Sequence, residues 1–167
     1  MKKIITTKRL YLREANLDDA EFIFELLNSK GWLDNIGDRG IRTIDDAKNY
    51  ITNKLMPDYG KENIAMFVME RKEDGISIGT CGLIKRPQLE DVDIGFAISG
   101  KYEKKGYAYE AASATLKMAV DEIKIKRIVG VTTLKNKNSQ RLLEKIGLSF
   151  EKMIPFDDEE LMLFSKG

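Results

Sequence analysis

The 167-residue sequence contains no histidine and a single cysteine, Cys81. The first absence removes the side chain that most often moves protons near neutral pH, and with it every Ser-His-Asp or Cys-His arrangement. The second excludes an intrachain disulfide and a structural zinc site, which takes about four Cys or His ligands. A chain without disulfides suits a reducing compartment, so the expected location is the cytoplasm. Proline is scarce as well, at three residues, and no Pro-, Gly- or Ser-rich stretch reads as a linker. No run approaches the ~20 apolar residues that span a membrane. Met1-Lys2-Lys3-Ile4-Ile5 gives way to polar Thr6 and Thr7 rather than to a signal-peptide core. An excess of one charge is also missing: 28 basic residues against 27 acidic ones leave a net charge of +1, which gives no support to nucleic-acid binding. Chemistry in this chain must come from carboxylates, hydroxyls, amides, lysines or a bound cofactor, and no metal is expected.

What is present describes one globular domain over residues 1–167, since a chain near 150 residues buries about two-thirds of its unfolded surface. Residues 10–13 read as a short strand. Asp18 or Asp19 can cap a helix running to Leu27, with Phe22, Ile23, Leu26 and Leu27 on one face. Thr43, with Asp46 three residues on, opens a second helix to about Leu55. Strands over 65–70 and 77–84 flank the turn Glu73-Asp74-Gly75, and residues 92–98 form a further strand. Ala108, Ala112, Thr115, Leu116, Ala119 and Ile123 then recur at helical spacing after Gly106. A β-branched strand over 128–133, a helix over 139–146 closed by Gly147, and strands from 148 and over 161–164 complete an α/β (α+β) order. Asp157 to Glu160 reads as the turn before the last strand.

Two segments carry the chemistry. In the first, residues 95–108, a strand passes through a basic, glycine-containing turn into the long helix. The first amides of a helix lack internal partners and its dipole adds about half a positive charge, so such an end accepts phosphate. Gly106 lets the backbone approach, and Lys101, Lys104 and Lys105 add positive potential. In the second, Asn136 and Asn138 lie at the end of a strand with Ser139 close to the next helix start. Taken alone, a lysine-rich turn reads equally as a solvated surface, and Asn138 or Ser139 as a helix cap.

Six pieces in order resemble the GNAT superfamily of acetyl-coenzyme A-dependent N-acetyltransferases, and most closely the branch that acetylates ribosomal-protein N-termini. Residues 7–13 with Asp19-Ala20 match T-x-R-L-x-L-R and D-A. Residues 78–83 match I-G-x-x-G-L, and Asp93-Ile94-Gly95-Phe96 matches E-I-G-Y. Gly106-Tyr107-Ala108-Tyr109-Glu110-Ala111 matches G-Y-A-T-E-A. Residues 136–139 match N-x-x-S, and residues 144–148 match E-K-x-G-F. One departure stands out: in the phosphate loop Q/R-x-x-G-x-G/A, Lys101 replaces the leading residue and Lys104 the first glycine.

The resemblance implies a GNAT-like fold: a mixed sheet of six or seven strands flanked by helices, its fourth and fifth strands splayed. It implies acetyl-CoA as cosubstrate, with backbone groups of Phe96, Ala97 and Ile98 toward the pantetheine arm. Amides from Lys104 through Lys105, Gly106, Tyr107 and Ala108 would meet the pyrophosphate, with Lys101 beside them, and Asn136 would reach the arm from the facing strand. Ser139 would stand near the sulfur as general acid or thiolate stabiliser. The general base is then a carboxylate: Asp93, or Glu160 in the last hairpin. Asp93 reads alternatively as the ion-pair partner of a nearby base, and Trp32 and Tyr50 as acceptor-side walls or as core. Acidic clusters over 90–93 and 157–160 read either as attraction for a cationic amine or as solvated turns. The implied partner is an amine acceptor (a protein N-terminus, a polyamine or another small amine), with a homodimer as a further candidate assembly. The competing function is a noncatalytic acyl-CoA sensor or protein-interaction module on the same fold.

Overall fold

The computed structural model describes residues 2–167. Its centre is one eight-stranded sheet in the order β1-β2-β3-β4-β5-β6-β8-β7. The strands are β1 (Lys3–Thr6), β2 (Leu10–Arg13), β3 (Met66–Arg71), β4 (Ser77–Ile84), β5 (Val92–Ile98), β6 (Ile128–Thr132), β7 (Ser149–Phe156) and β8 (Glu159–Lys166). All neighbours run antiparallel except β5 and β6, which are joined by the helical crossover. The five helices are α1 (Ala20–Leu27), α2 (Lys30–Asn35), α3 (Ile44–Tyr50), α4 (Tyr107–Asp121) and α5 (Lys137–Lys145).

Period-two alternation sends successive residues of the central strands to opposite faces, and both faces are covered. On β3, Phe67 and Met69 pack toward α4 and α5, whereas Val68 joins Ile23, Leu26, Leu27, Ala47 and Ile51 of the α1–α3 layer. Small residues let α4 lie close to the sheet: Ala111, Ala112 and Ala119 are fully buried against it.

Several local readings are corrected. Residues 3–6, unassigned from sequence, add β1 and bring the strand number to eight. Asp19 holds the N-cap position of α1 without a side-chain cap bond, and the capping box lies one turn earlier, between Asn16 and Asp19. Asn16 accepts from the Asp18 amide at 2.8 Å, while the Asp19 carboxylate turns back to the Asn16 amide and to Arg13. Arg13 and Asp19 form a buried two-point ion pair at 2.9 and 2.8 Å, and Arg13 also donates to Glu70 at 3.0 Å. Thr43 and Asp46 form the expected capping box, but the helix changes to a π turn over Ile51–Leu55. The short α2, capped by Ser29, lacks a buried apolar face and so leaves no periodic trace in the sequence. The last turn is only Asp157-Asp158, and Glu159 already begins β8.

Candidate active site

The site begins as a break in the sheet. β5 and β6 are joined through two residue pairs, Val92 with Ile128 and Asp93 with Val129. β5 continues to Ile98 and β6 to Thr132, so the strands part beyond Asp93 as the splayed pair expected from the sequence. The backbone of Ile94–Ile98 is thereby left without a ladder partner on that side. A cleft of about 1180 Å³ occupies the opening. Its walls are the α1–α3 layer on one side and the 102–109 loop and helix start on the other, with α5 and the β7–β8 turn completing it.

Asp93 stands where the strands separate. Ala97 packs against the α1–α3 core and Phe96 and Ile98 against the α4 core. Alternation therefore turns Asp93, with Gly95 and Ala97, toward α1–α3. Asp93 is 1% exposed, and Arg86 Nε lies 3.2 Å from each carboxylate oxygen. Burial pushes its carboxyl up to about 6, and the attraction of Arg86 only partly opposes this. Asp93 has an ion-pair partner in Arg86, and it borders the cleft. A carboxylate tuned near neutrality at the mouth of a cavity is suited to accept a proton.

The turn from Lys101 to Gly106 passes through two left-handed residues. Lys104 takes φ +61° and Gly106 φ +82°, both left-handed. Gly106 is the N-cap of α4 without a side-chain cap, which leaves the first amides of a 15-residue helix directed at the opening. Lys104, Gly106, Tyr107 and Ala108 border the cleft, whereas Lys101 and Lys105 are exposed and stand outside its wall. A lysine in the left-handed region costs about 1 kcal/mol relative to glycine. Lys104→Gly should therefore raise the thermal midpoint by a few degrees. The coenzyme dissociation constant of that variant reports on the ammonium separately: a several-fold loss of affinity assigns the Lys104 head to the phosphate, and unchanged affinity assigns it to solvent.

On the opposite edge, the cap of α5 is Asn136, not Asn138 or Ser139. Its amide oxygen accepts from the Ser139 N–H at 3.2 Å. That bond leaves the Asn136 amide N–H groups available to a ligand, and both Asn136 and Ser139 border the cleft. Arg141 and Lys145 also face it from α5, as the spacing 138, 141, 145 on one helical face could have foretold. Trp32 of α2 and Tyr50 of α3 line the cleft, where burial raises the Tyr50 phenol and keeps it a neutral donor. The buried polar atoms without a partner among the described residues are Trp32 Nε1, Thr80 Oγ1 and Thr133 Oγ1, and all three residues border this cleft.

The remaining sequence candidates are brought in only in part. Glu160 is exposed and absent from the cleft wall, because Leu161 on the same strand is buried and alternation sends Glu160 the other way. Of the acidic clusters, Asp93, Asp157, Asp158 and Glu159 border the cleft, while Asp91 is 3.0 Å from Arg127. Cys81 is fully buried, 3.5 Å from Thr115 Oγ1, with its thiol pushed up to about 12, and has no role in the site.

Residues 9–149 match the acetyltransferase (GNAT) domain. The chain is 31% identical over 159 residues to a Bacillus subtilis protein named uncharacterized N-acetyltransferase YnaD, covering 93% of this chain and 90% of that one. It superposes on an acetyltransferase (GNAT family) from Bacillus anthracis with a TM-score of 0.80 and 28% identity, over 97% and 96% of the two chains. The same fold recurs in RimL, a ribosomal L7/L12 alpha-N-protein acetyltransferase solved with coenzyme A, at a TM-score of 0.84 and 12% identity over 99% and 97%. With a matching domain over most of its length, a parted β5–β6 pair and an uncapped helix start facing the opening, the chain belongs to the GNAT acetyltransferase family.

Proposed function

We propose that the protein transfers the acetyl group of acetyl-CoA to a primary amine by direct attack in a ternary complex, with Asp93 as the general base. The observation that carries this reading is a buried carboxylate, raised to about 6, where the sheet opens. The residues present fit the coenzyme. The free edge of Phe96, Ala97 and Ile98 suits the amides of a pantetheine arm, and Thr133 Oγ1 is buried there without a partner. The Lys104–Ala108 backbone and the start of α4 suit a pyrophosphate, and the Asn136 amide borders the gap from the start of α5.

Acetyl-CoA supplies an activated acyl group and a stable thiolate leaving group, so no side-chain nucleophile is required. The chain orients and moves protons. A free alkylamine, with pKa about 10, enters protonated and must lose that proton to become nucleophilic. That first proton leaves to solvent before attack; the neutral amine then bonds the thioester carbon, its nitrogen becomes acidic, and the Asp93 carboxylate accepts the second proton. Ser139, held by its own amide on the Asn136 cap, presents a hydroxyl as donor to the departing sulfur. Trp32 and Tyr50 exclude water on the acceptor side, and the Asp157–Glu159 rim favours a cationic acceptor. Protein N-termini, the acceptor named for RimL, are the first to test, followed by polyamines.

The test is calorimetric binding of acetyl-CoA, followed by thiol release with a panel of N-terminal peptides, polyamines and small amines. Binding with turnover supports the enzyme. Binding without turnover across the panel favours the acyl-CoA sensor, and absence of binding overturns both. Asn136→Ala should weaken coenzyme binding about ten-fold, and the lost cap should cost about 1 kcal/mol of stability. A loss of stability with unchanged affinity would leave Asn136 as a cap alone.

A further inference from the structure

The phosphate loop is held from behind by a residue remote in sequence. Arg9, in the turn between β1 and β2, donates from Nη1 to the Lys105 carbonyl at 3.0 Å. Its guanidinium lies over the Tyr107 ring at 4.2 Å. A methyl on Gly106 would sit 3.2 Å from its Nη2. One side chain thus touches three consecutive residues of the loop and helix start. Its own position is fixed by Glu110 in the first turn of α4. Arg9 Nε donates to Glu110 Oε1 at 2.7 Å and the Arg9 amide to Oε2 at 2.8 Å, while the Thr7 hydroxyl donates to Oε2 at 2.5 Å.

Two physical needs meet in this contact set. First, Lys104 occupies a left-handed conformation that its side chain disfavours, and such a residue persists only where its surroundings over-determine it. The hydrogen bond to the Lys105 carbonyl pins the next peptide. Second, a free carboxylate on the first turn of α4 would repel an anion at the helix start. Paired with Arg9, Glu110 no longer opposes it.

We propose that Arg9, anchored by Glu110 and Thr7, is a positioning residue that presets the loop for the coenzyme phosphates. The proposal rests on the reading of residues 102–108 as the coenzyme loop. It assigns the T-x-R turn and the glutamate of the G-Y-A-x-E segment to one device that serves binding and not acyl transfer.

Arg9→Ala should weaken acetyl-CoA binding ten-fold or more by calorimetry, raise KM for acetyl-CoA in step, and leave kcat at saturating coenzyme within about two-fold. Amides 104–108 of the ligand-free variant should exchange with deuterium at least ten-fold faster, while those of β3 and β4 keep their protection. Arg9→Lys, which retains the charge opposite Glu110 but not the Lys105 carbonyl bond and the planar stack together, should fall between. Adding Glu110→Gln to Arg9→Ala should recover part of the affinity by removing the unpaired carboxylate. Unchanged affinity and exchange in Arg9→Ala would overturn the proposal. A kcat that falls as far as affinity, with exchange faster throughout the sheet, would overturn it too and leave a plain structural contact. Failure of the unsubstituted protein to bind acetyl-CoA would instead remove the coenzyme reading, and exchange at amides 104–108 would still decide whether Arg9 presets the loop.

Discussion

Asp93→Asn should slow acetyl transfer by roughly 10²–10⁴-fold and at the same time make the protein more stable at neutral pH. The two effects share one cause. Folding takes the carboxyl from its ordinary 3.8 to about 6, because 1% exposure penalises the charged form more than Arg86 at 3.2 Å favours it. The folded state therefore holds the proton over a pH range in which the unfolded chain has lost it. The contribution of this group to stability is complete below about 3.8 and is lost as pH rises through about 6. At pH 7 the charged carboxylate costs up to about 3 kcal/mol. Asparagine, neutral throughout, avoids that cost above pH 6 and gains nothing near pH 4. Denaturant melts at the two pH values check this half. For the other half, the log of kcat/KM of the unsubstituted enzyme should rise through a limb centred near 6, and the variant should lack it. A variant that keeps both the limb and the rate would reduce Asp93 to the ion-pair partner of Arg86.

Gly79→Ala should cost about 3 kcal/mol, or roughly 10 °C of thermal midpoint, and should take coenzyme binding with it. An ideal Cβ on Gly79 lies 2.3 Å from the Ala97 carbonyl oxygen and 3.1 Å from Ile98 Cα. These are backbone atoms of β5, the strand that borders the gap, and they cannot swing away as a side-chain tip can. The strand must shift, and the edge offered to the pantetheine arm shifts with it. Gly100→Ala is the control, since nothing lies within 4 Å of the added methyl. Equal melting of Gly79→Ala and the unsubstituted protein would refute this packing argument.

The sequence revealed the elements that carry a strong period or a turn signal. The amphipathic α4, the β3–β4 hairpin and the Thr43–Asp46 cap are local patterns, and local patterns survive into the fold. α2 lacks a buried face and β1 is a four-residue edge strand, so neither imprints a period. The cleft was legible where one segment builds it, as in Asp93 to Ile98 or Gly106 to Ala108. It was not legible where distant segments meet. Asp93 and Glu160 are both acidic and both lie near strands, and only the register of β8 turns Glu160 away. The pairing of Arg9 with Glu110, 101 residues apart, is long-range chemistry that a motif records without explaining. Lys104 shows the reverse case: its residue type argued against a left-handed turn, yet it takes φ +61°.

The narrow seam between β5 and β6 has a consequence for how the molecule comes apart. Strands β1 to β5 with α4 form one block and β6 to β8 with α5 another, joined in the sheet by two residue pairs. Behind the sheet, Ile128, Leu143 and Phe164 of the second block share one core with Phe67, Met69 and Leu116 of the first, so parting the blocks at the seam also costs that packing. A molecule lodged across the seam stabilises only the docked arrangement, by about 2.7 kcal/mol at a hundred-fold excess over its dissociation constant. Under the proposed function that molecule is acetyl-CoA, mortar between two courses of one wall, and resistance of the protein to proteases should then rise with its concentration.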